Sequence, residues 1–274
     1  MALIRRRLLP FLAAGAAVSA VLACEPVAGA PRVTPPPPNG AFDYQLGRAY
    51  PPPAGTRIVI RDRSESPVPG LYSVCYVNAF QTQPGELRAW RARHRRLLLQ
   101  RGGREVRDPG WPGEVLHDTS TEHRRAANAR IVNRWIDGCA RKGFQAVEPD
   151  NLDSWTRSRG RLTRADNFRL ARRLIRHAHA RGLAIAQKNA AEASATGRRL
   201  GFDFAVAESC QAYDECDAYT RAYGTAVLEV EYADEGGVAG FERACTARGA
   251  SISITYRDRD LVGPGDPGYV HRDC

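Results

Sequence analysis

The sequence lacks the signatures of several common hydrolytic chemistries. It has no HExxH motif and no histidine pair at metal-ligand spacing on strand ends. Of its six histidines, His94, His177 and His179 sit in arginine-rich stretches and only His117 falls near the end of an apolar run, which argues against a metal-dependent hydrolase. No GxSxG elbow is present, so a Ser–His–Asp enzyme is disfavoured. No CxxC is followed by a second CxxC or a histidine pair, which makes structural zinc an unfavoured reading. No glycine-rich phosphate loop follows the first apolar run, and this weakens a doubly wound nucleotide-binding sheet. Beyond the N-terminus no apolar run approaches the roughly 20 residues needed to cross a bilayer, and the mean hydropathy is −0.43.

What is present is a globular composition, with 43% hydrophobic and 26% charged residues in 274. Lys and Arg number 40 against 30 Asp and Glu, a net charge of +10. Arg5, Arg6 and Arg7 precede an apolar stretch from Leu8 to Val21, the pattern of an export leader over residues 1–24. Val21-Leu22-Ala23-Cys24 resembles a lipobox, which would make Cys24 a lipidated N-terminus; the alternative is a plain secretory cut after Ala28-Gly29-Ala30. The remaining basic excess is scattered over arginine-rich helical stretches such as 88–96 and 169–181, expected as solvated outer faces rather than a nucleic-acid footprint.

Six further cysteines, Cys75, Cys139, Cys210, Cys216, Cys245 and Cys274, form an even set in an exported chain, which reads as disulfides. Cys210 and Cys216, six apart, are expected to close a local loop. Spacing alone does not choose among the pairings of the other four; Cys245 with Cys274 and Cys75 with Cys139 is the expectation by elimination. Residues 25–40, with Pro35-Pro36-Pro37-Pro38, have little to bury and are expected to be a disordered tether.

Residues 41–274 suit one barrel domain. From Thr56 short apolar runs alternate with amphipathic stretches: 57–60, 72–77, 115–116, 144–147, 183–186, 202–207, 226–230 and 251–256. Eight βα repeats predict an α/β (β/α)8 TIM barrel, with Gly143, Gly182, Gly201, Gly224 and Gly249 as left-handed helix ends. The runs finish in polar residues, Asp62, Asn78, Asp118, Asp150, Lys188, Glu208, Glu231 and Arg257, which a closed barrel would gather at one mouth. In Glu148-Pro149-Asp150-Asn151-Leu152-Asp153 three carboxylates crowd one strand end, and Glu208 terminates another apolar run. Two carboxylates from the fourth and sixth strands facing one pocket are the minimum machinery of glycoside hydrolysis. Lys188 lies between them and is expected to hold one ionised, so that the carboxyl further from it carries the proton. Tyr44, Tyr76, Trp111, Trp155, Tyr213 and Tyr232 offer faces on which sugars stack.

Several segments resemble a known family: Asp43-Tyr44-Gln45-Leu46, Cys75-Tyr76-Val77-Asn78, the run from Gly143 to Asp153, Gln187-Lys188-Asn189, Asp203 to Cys210 with Glu215-Cys216, and Glu231-Tyr232. They are similar to the family 114 glycoside hydrolases, endo-α-1,4-polygalactosaminidases. The resemblance implies cleavage of α-1,4-linked galactosamine polymers, with Asp150 and Glu208 as the catalytic pair and no cofactor or metal. Asp150 is assigned as nucleophile and Glu208 as acid/base. Tyr44, Asp62, Tyr76, Asp118, Asn151, Asp153, Lys188, Glu231 and Tyr232 are assigned as substrate contacts. Tyr44 stands where the family usually has Trp, and Leu116-His117-Asp118 where it has Trp-Leu-Asp. Because the chain is basic and such a substrate cationic, attraction is expected from a local acidic mouth. A glycosidase for another α-linked amino-sugar polymer and a non-catalytic carbohydrate-binding lipoprotein are the alternatives. The expected partners are a polysaccharide and, if the lipobox is used, a membrane holding Cys24, with no nucleic acid and a monomeric chain.

Overall fold

The computed structural model describes residues 33–274. The expected leader, the lipidation at Cys24 and the tether up to residue 32 lie outside the described residues. Eight parallel strands form the centre: β1 (Phe42–Gln45), β2 (Ile58–Asp62), β3 (Tyr72–Asn78), β4 (Ala146–Asp150), β5 (Ala184–Lys188), β6 (Phe204–Glu208), β7 (Val227–Tyr232) and β8 (Ser253–Arg257). Each pairs with the next in chain order, and β9 (His271–Asp273) adds antiparallel to β8. The two ends of this sheet meet through side chains. Arg257 on β8 pairs with Asp43 on β1 at 2.9 Å, and the Gly40 amide donates to Ser253 Oγ at 2.9 Å. The result is a (β/α)8-type barrel.

The strand count agrees with the sequence reading, but one member differs. Phe42–Gln45, expected to precede the first strand, is itself β1. Val115–Leu116 is not a barrel strand and makes isolated bridges with Arg107 and Gln81 inside a long insertion, residues 79–121, between β3 and β4. The physical cause is the polar half of β1. Asp43 and Gln45 are fully buried because Arg257 and Arg61 compensate them, so a true barrel strand reads as half hydrophilic.

Among the described residues six α-helices cover the outside: α1 (Leu87–His94), α2 (Glu122–Lys142), α3 (Arg164–Ala180), α4 (Ser194–Leu200), α5 (Cys216–Tyr223) and α6 (Gly237–Arg248). β1 to β2 and β2 to β3 are joined by loops with no helix. α3 starts at the expected place because Thr163 and Asp166 form a capping box, which satisfies two amides that the first turn leaves free. Of the five expected left-handed glycines, Gly143, Gly182 and Gly201 bear this out, Gly224 has positive φ (62°) but an extended ψ of −124°, and Gly249 has φ −58°. It is glycine for closeness instead, since a Cβ there would lie 2.6 Å from the Cys245 carbonyl oxygen.

Alternation along the strands sorts side chains into two cores. Phe42, Tyr44, Ile58, Ile60, Val74, Ala184, Ala186, Phe204, Val206, Leu228 and Val230 fill the barrel interior. Val147, Ile185, Ala205, Val227 and their helical partners Val132, Leu174 and Tyr219 form the outer layer. Fully burying one such aliphatic is worth about 1.5–3 kcal/mol, so a four-residue strand such as β1 is held by packing rather than by ladder length.

Residues 33–40 correct part of the expected tether. Pro36 is buried, the Thr34 carbonyl accepts from the Tyr72 hydroxyl at 2.6 Å, and Asn39 donates to the Ala250 carbonyl at 3.2 Å. Prolines have no large side chain to bury, but an extended run needs no internal bonds and lies readily along a surface that offers partners. All three expected disulfides are present: Cys75–Cys139, Cys210–Cys216 and Cys245–Cys274. Among the described residues no helix is long and apolar enough to cross a membrane.

Candidate active site

The same alternation fixes the site. On β4, Ala146, Glu148 and Asp150 point inward; on β5 Ala184, Ala186 and Lys188; on β6 Phe204, Val206 and Glu208. At the C-terminal ends of these strands the inward file changes from apolar to charged. A left-handed residue follows each of them, Asn151 (φ 65°), Asn189 (φ 49°) and Ser209 (φ 55°). Non-glycine residues there carry strain of order 1–3 kcal/mol and collect at functional sites.

Lys188 is the hub. Its Nζ lies 2.8 Å from Glu148 Oε1, 3.2 Å from Glu208 Oε2 and 3.5 Å from Asp150 Oδ1, and it donates to the Tyr44 hydroxyl at 2.7 Å. Burial alone would push its pKa down, but the three carboxylates reverse this and hold it well above the usual lysine value. The three carboxylates thus favour its ammonium form. Tyr76 donates to Asp150 Oδ2 at 2.7 Å and Tyr232 to Glu208 Oε1 at 2.5 Å. Asn189 donates its side-chain amide to Glu208 Oε2 at 2.9 Å and accepts from the Glu208 backbone amide at 2.9 Å. Two carboxylates are thus oriented by a tyrosine each and bridged by one cation.

Three carboxylates surround one ammonium, so the proton balance is uneven. Glu148 is completely buried, and one of its oxygens has no partner. Burial pushes it up to about 7 against the pull of Lys188 and the Tyr44 hydroxyl. Burial pushes Glu208 up as well, but Lys188, Tyr232 and Asn189 outweigh it and hold the carboxyl below its usual range. Glu208 is also the nearer of the two to Lys188, so the expected link between distance from Lys188 and the protonated acid does not favour Glu208 in the empty cleft.

The cleft holds about 500 Å³. Of the expected contacts, Tyr44, Asp62, Tyr76, Asn151, Asp153, Lys188 and Tyr232 line it together with Asp150 and Glu208. Two do not. Asp118 follows the misread 115–116 run, accepts from Ser120, pairs with Arg124 at 2.9 Å and so braces the start of α2. Glu231 points outward because its neighbour Tyr232 points inward, and both cannot face the mouth. Asp108, Glu114, Arg157, Asn189, Arg259, Asp260 and the exposed Trp111 also line it. Trp111 is among the aromatics that the sequence singles out; Glu114 and Asp108 stand in an aperiodic Gly/Pro-rich stretch that carries no signal of direction. Trp155 packs on Phe168 instead.

Glu231 sits behind the barrel beside Glu229, with Arg248 on Glu229 at 2.8 Å and the Gln211 amide donating to Glu231 at 2.9 Å. Burial, with Glu229 close by, pushes Glu231 up to about 8. A folded-state pKa raised above the unfolded value means that the native chain binds the extra proton, so this contribution is present at low pH and lost as pH rises from about 4.5 through about 8. Thermal unfolding across pH 5 to 9 should show a melting temperature that declines through this window, and Glu231→Gln should flatten the decline. An unchanged slope in the variant would mean that Glu231 titrates normally.

Breaking a glycosidic bond asks for one group that gives a proton and one that meets the sugar carbon, both reachable from solvent, in a pocket at a barrel's C-terminal face. This chain is a glycoside hydrolase of the barrel class. It belongs to glycoside-hydrolase family GH114, whose model matches residues 24–274. Among solved structures it is similar to Ega3 of Aspergillus fumigatus in complex with galactosamine, at 22% identity and a TM-score of 0.70, covering 90% of this chain and 100% of that one. It is also similar to the glycoside hydrolase domain of PelA from Pseudomonas aeruginosa, at 14% identity and a TM-score of 0.59, covering 82% and 97%. At these identities the likeness establishes the shared fold. No curated protein matches the chain by sequence.

Proposed function

We propose that the protein is an exported endo-glycosidase that hydrolyses α-1,4-linked galactosamine-containing polysaccharide through Asp150 and Glu208. The observation that carries the substrate is a reversal of charge. The chain keeps a basic excess even without Arg5–Arg7 of the leader-like segment, yet Asp62, Asp108, Glu114, Asp150, Asp153, Glu208 and Asp260 outnumber Arg157, Lys188 and Arg259 in the cleft. A basic protein with an acidic cleft repels a polycation everywhere except where it is to be cut. Three disulfides favour an oxidising compartment outside the cytosol, in keeping with the leader-like N-terminus and a tether through Cys24.

In this reading Asp150 attacks the anomeric carbon and Glu208 protonates the leaving oxygen, then deprotonates the incoming water. Both sit against one Nζ, at 3.5 and 3.2 Å, so their facing oxygens stay within the sum of two short legs. We adopt the retaining course, in which the two carboxyl groups stand roughly 5–5.5 Å apart, over the inverting one, in which roughly 6.5–9.5 Å leaves room for a water. Glu208 is the more exposed of the two and is anionic when the cleft is empty, so it gains its proton as the sugar displaces water around it. Hence kcat/KM, which reports the free enzyme, falls off at lower pH than kcat.

Digestion of a partially deacetylated galactosamine polymer, followed by mass spectrometry and by NMR of the newborn ends, tests the reading. Internal cuts that yield oligomers with α-configured reducing ends are expected. Release of monosaccharide alone, or no cleavage, would sink the endo-glycosidase assignment, and initial β ends would sink retention.

A further inference from the structure

We propose that Glu114 recognises the ammonium group of a galactosamine residue bound beside Asp150, and is the residue through which the cleft distinguishes a free amine from an acetamide. This rests on the function proposed above. Glu114 lines the cleft yet is only 7% exposed. Its Oε2 accepts from the amides of Asn78 at 2.9 Å and Gln81 at 2.7 Å. Among the described residues no cationic side chain is paired with it, whereas its acidic neighbour Asp108 has Arg157 at 2.7 Å. A buried carboxylate needs a counter-charge, because two neutral amides restore only part of the hydration it has lost. Burial, with Asp150 and Asp108 close by, raises its pKa against those two amides. The missing partner is a cation, and the open side of Glu114 is the cleft.

Its place relative to the reacting carbon is set by a short chain of amides. Asn151 donates to Asn78 Oδ1 at 2.9 Å, and the same Asn151 nitrogen lies 3.4 Å from Asp150 Oδ2. Glu114 and Asp150 therefore belong to one wall, joined through Asn78 and Asn151. The amine of a 2-amino sugar is attached one carbon from the centre that Asp150 attacks, so it arrives on this wall with the ring. The wall is rigid: Asp108 Oδ1 accepts from the amides of Gly110 at 2.8 Å and Trp111 at 3.3 Å, and the Glu114 amide donates to the Trp111 carbonyl at 2.8 Å. The exposed indole of Trp111 gives the same sugar an apolar face and its charge a π-surface. An acetamide would bring no charge and leave Glu114 uncompensated.

The test is the ratio of kcat/KM on fully deacetylated α-1,4-galactosamine oligomers to kcat/KM on their N-acetylated counterparts, measured for wild type, Glu114→Gln and Glu114→Asp. Glutamine keeps the shape and the acceptor for Asn78 and Gln81 but removes the charge. The ratio should fall at least ~30-fold in Glu114→Gln, the order expected for loss of a desolvated charge pair, with the change carried mainly by KM. Glu114→Asp keeps the charge one methylene further back and should lie between the two; it also serves as the test if the glutamine variant does not fold. A ratio unchanged in Glu114→Gln, or in Glu114→Asp where that variant stands in, overturns the assignment. A wild-type enzyme that cleaves neither oligomer overturns the proposed function itself, and the assignment with it.

Discussion

Asp150→Asn and Glu208→Gln should each depress hydrolysis by roughly three to five orders of magnitude, the scale of losing one member of a catalytic unit, while leaving the protein folded. Each substitution preserves size and removes ionisation. In Asp150→Asn the new carboxamide oxygen still accepts from the Tyr76 hydroxyl, and in Glu208→Gln it still accepts from Tyr232, so the hydrogen bonds that orient the two side chains survive. Lys188 keeps Glu148 at 2.8 Å as its nearest counter-charge in both variants. Only the transition state suffers, since an amide can neither form a glycosyl ester nor deliver a proton. Removing one member of such a pair costs far more than a subsite contact. If either variant kept more than about a tenth of wild-type kcat/KM, a change of only about 1.4 kcal/mol in barrier, that carboxylate would not be catalytic. Circular dichroism and the melting temperature separate this outcome from misfolding.

Lys188→Met should have the largest effect on stability. The ammonium is 2% exposed and touches Glu148, Asp150 and Glu208. Replacing it with an apolar side chain of similar volume leaves three carboxylates facing one another without a cation. Breaking a buried ion pair on one side costs about 3–5 kcal/mol, a large part of the roughly 5–15 kcal/mol that holds a domain together. At roughly 2–4 °C per kcal/mol for a chain of this size, the melting temperature should fall by about 10 °C at neutral pH. The sign of the pH dependence is specific. Without Lys188 the carboxylates rise in pKa and bind protons in the folded state, so the loss should be smaller near pH 5 and larger near pH 8. A deficit below about 1 kcal/mol at pH 8, the scale of an exposed pair, would mean that the carboxylates do not depend on Lys188 for their charge.

The strand-end pair is legible in the sequence because a charged group finishing an apolar run is hard to explain by burial, and the carboxylates Asp150 and Glu208, like Lys188 between them, occupy such ends. Glu231 has the same appearance and the opposite direction. In a strand one residue decides the face, and only the inward Tyr232 settles which of the two meets the cleft. β1 escapes the sequence reading for a related reason. Asp43 and Gln45 are satisfied by Arg257 and Arg61, far along the chain, so their burial leaves no trace in local hydropathy. The pair 115–116 is apolar because Val115 packs under the insertion against Leu98 and Ile131 rather than in the barrel, and once it is removed from the strands Asp118 ceases to be a strand end. Glu114 stands in that insertion, where no periodicity points a side chain anywhere. Cys210 and Cys216 are readable from spacing because six residues of chain allow little else, and their Cα atoms lie 4.8 Å apart.

The central claim, that Asp150 attacks the sugar while Glu208 serves as acid and base, is tested most directly by trapping the intermediate. Glu208→Gln incubated with an α-galactosaminyl fluoride should accumulate the covalent species, because fluoride departs without a proton donor while the second step still lacks its base. Peptide mass spectrometry after acid quench should find one galactosaminyl unit added to the peptide that carries Asp150. An adduct on any other residue, or turnover of the fluoride with none detectable on Asp150, would contradict the account.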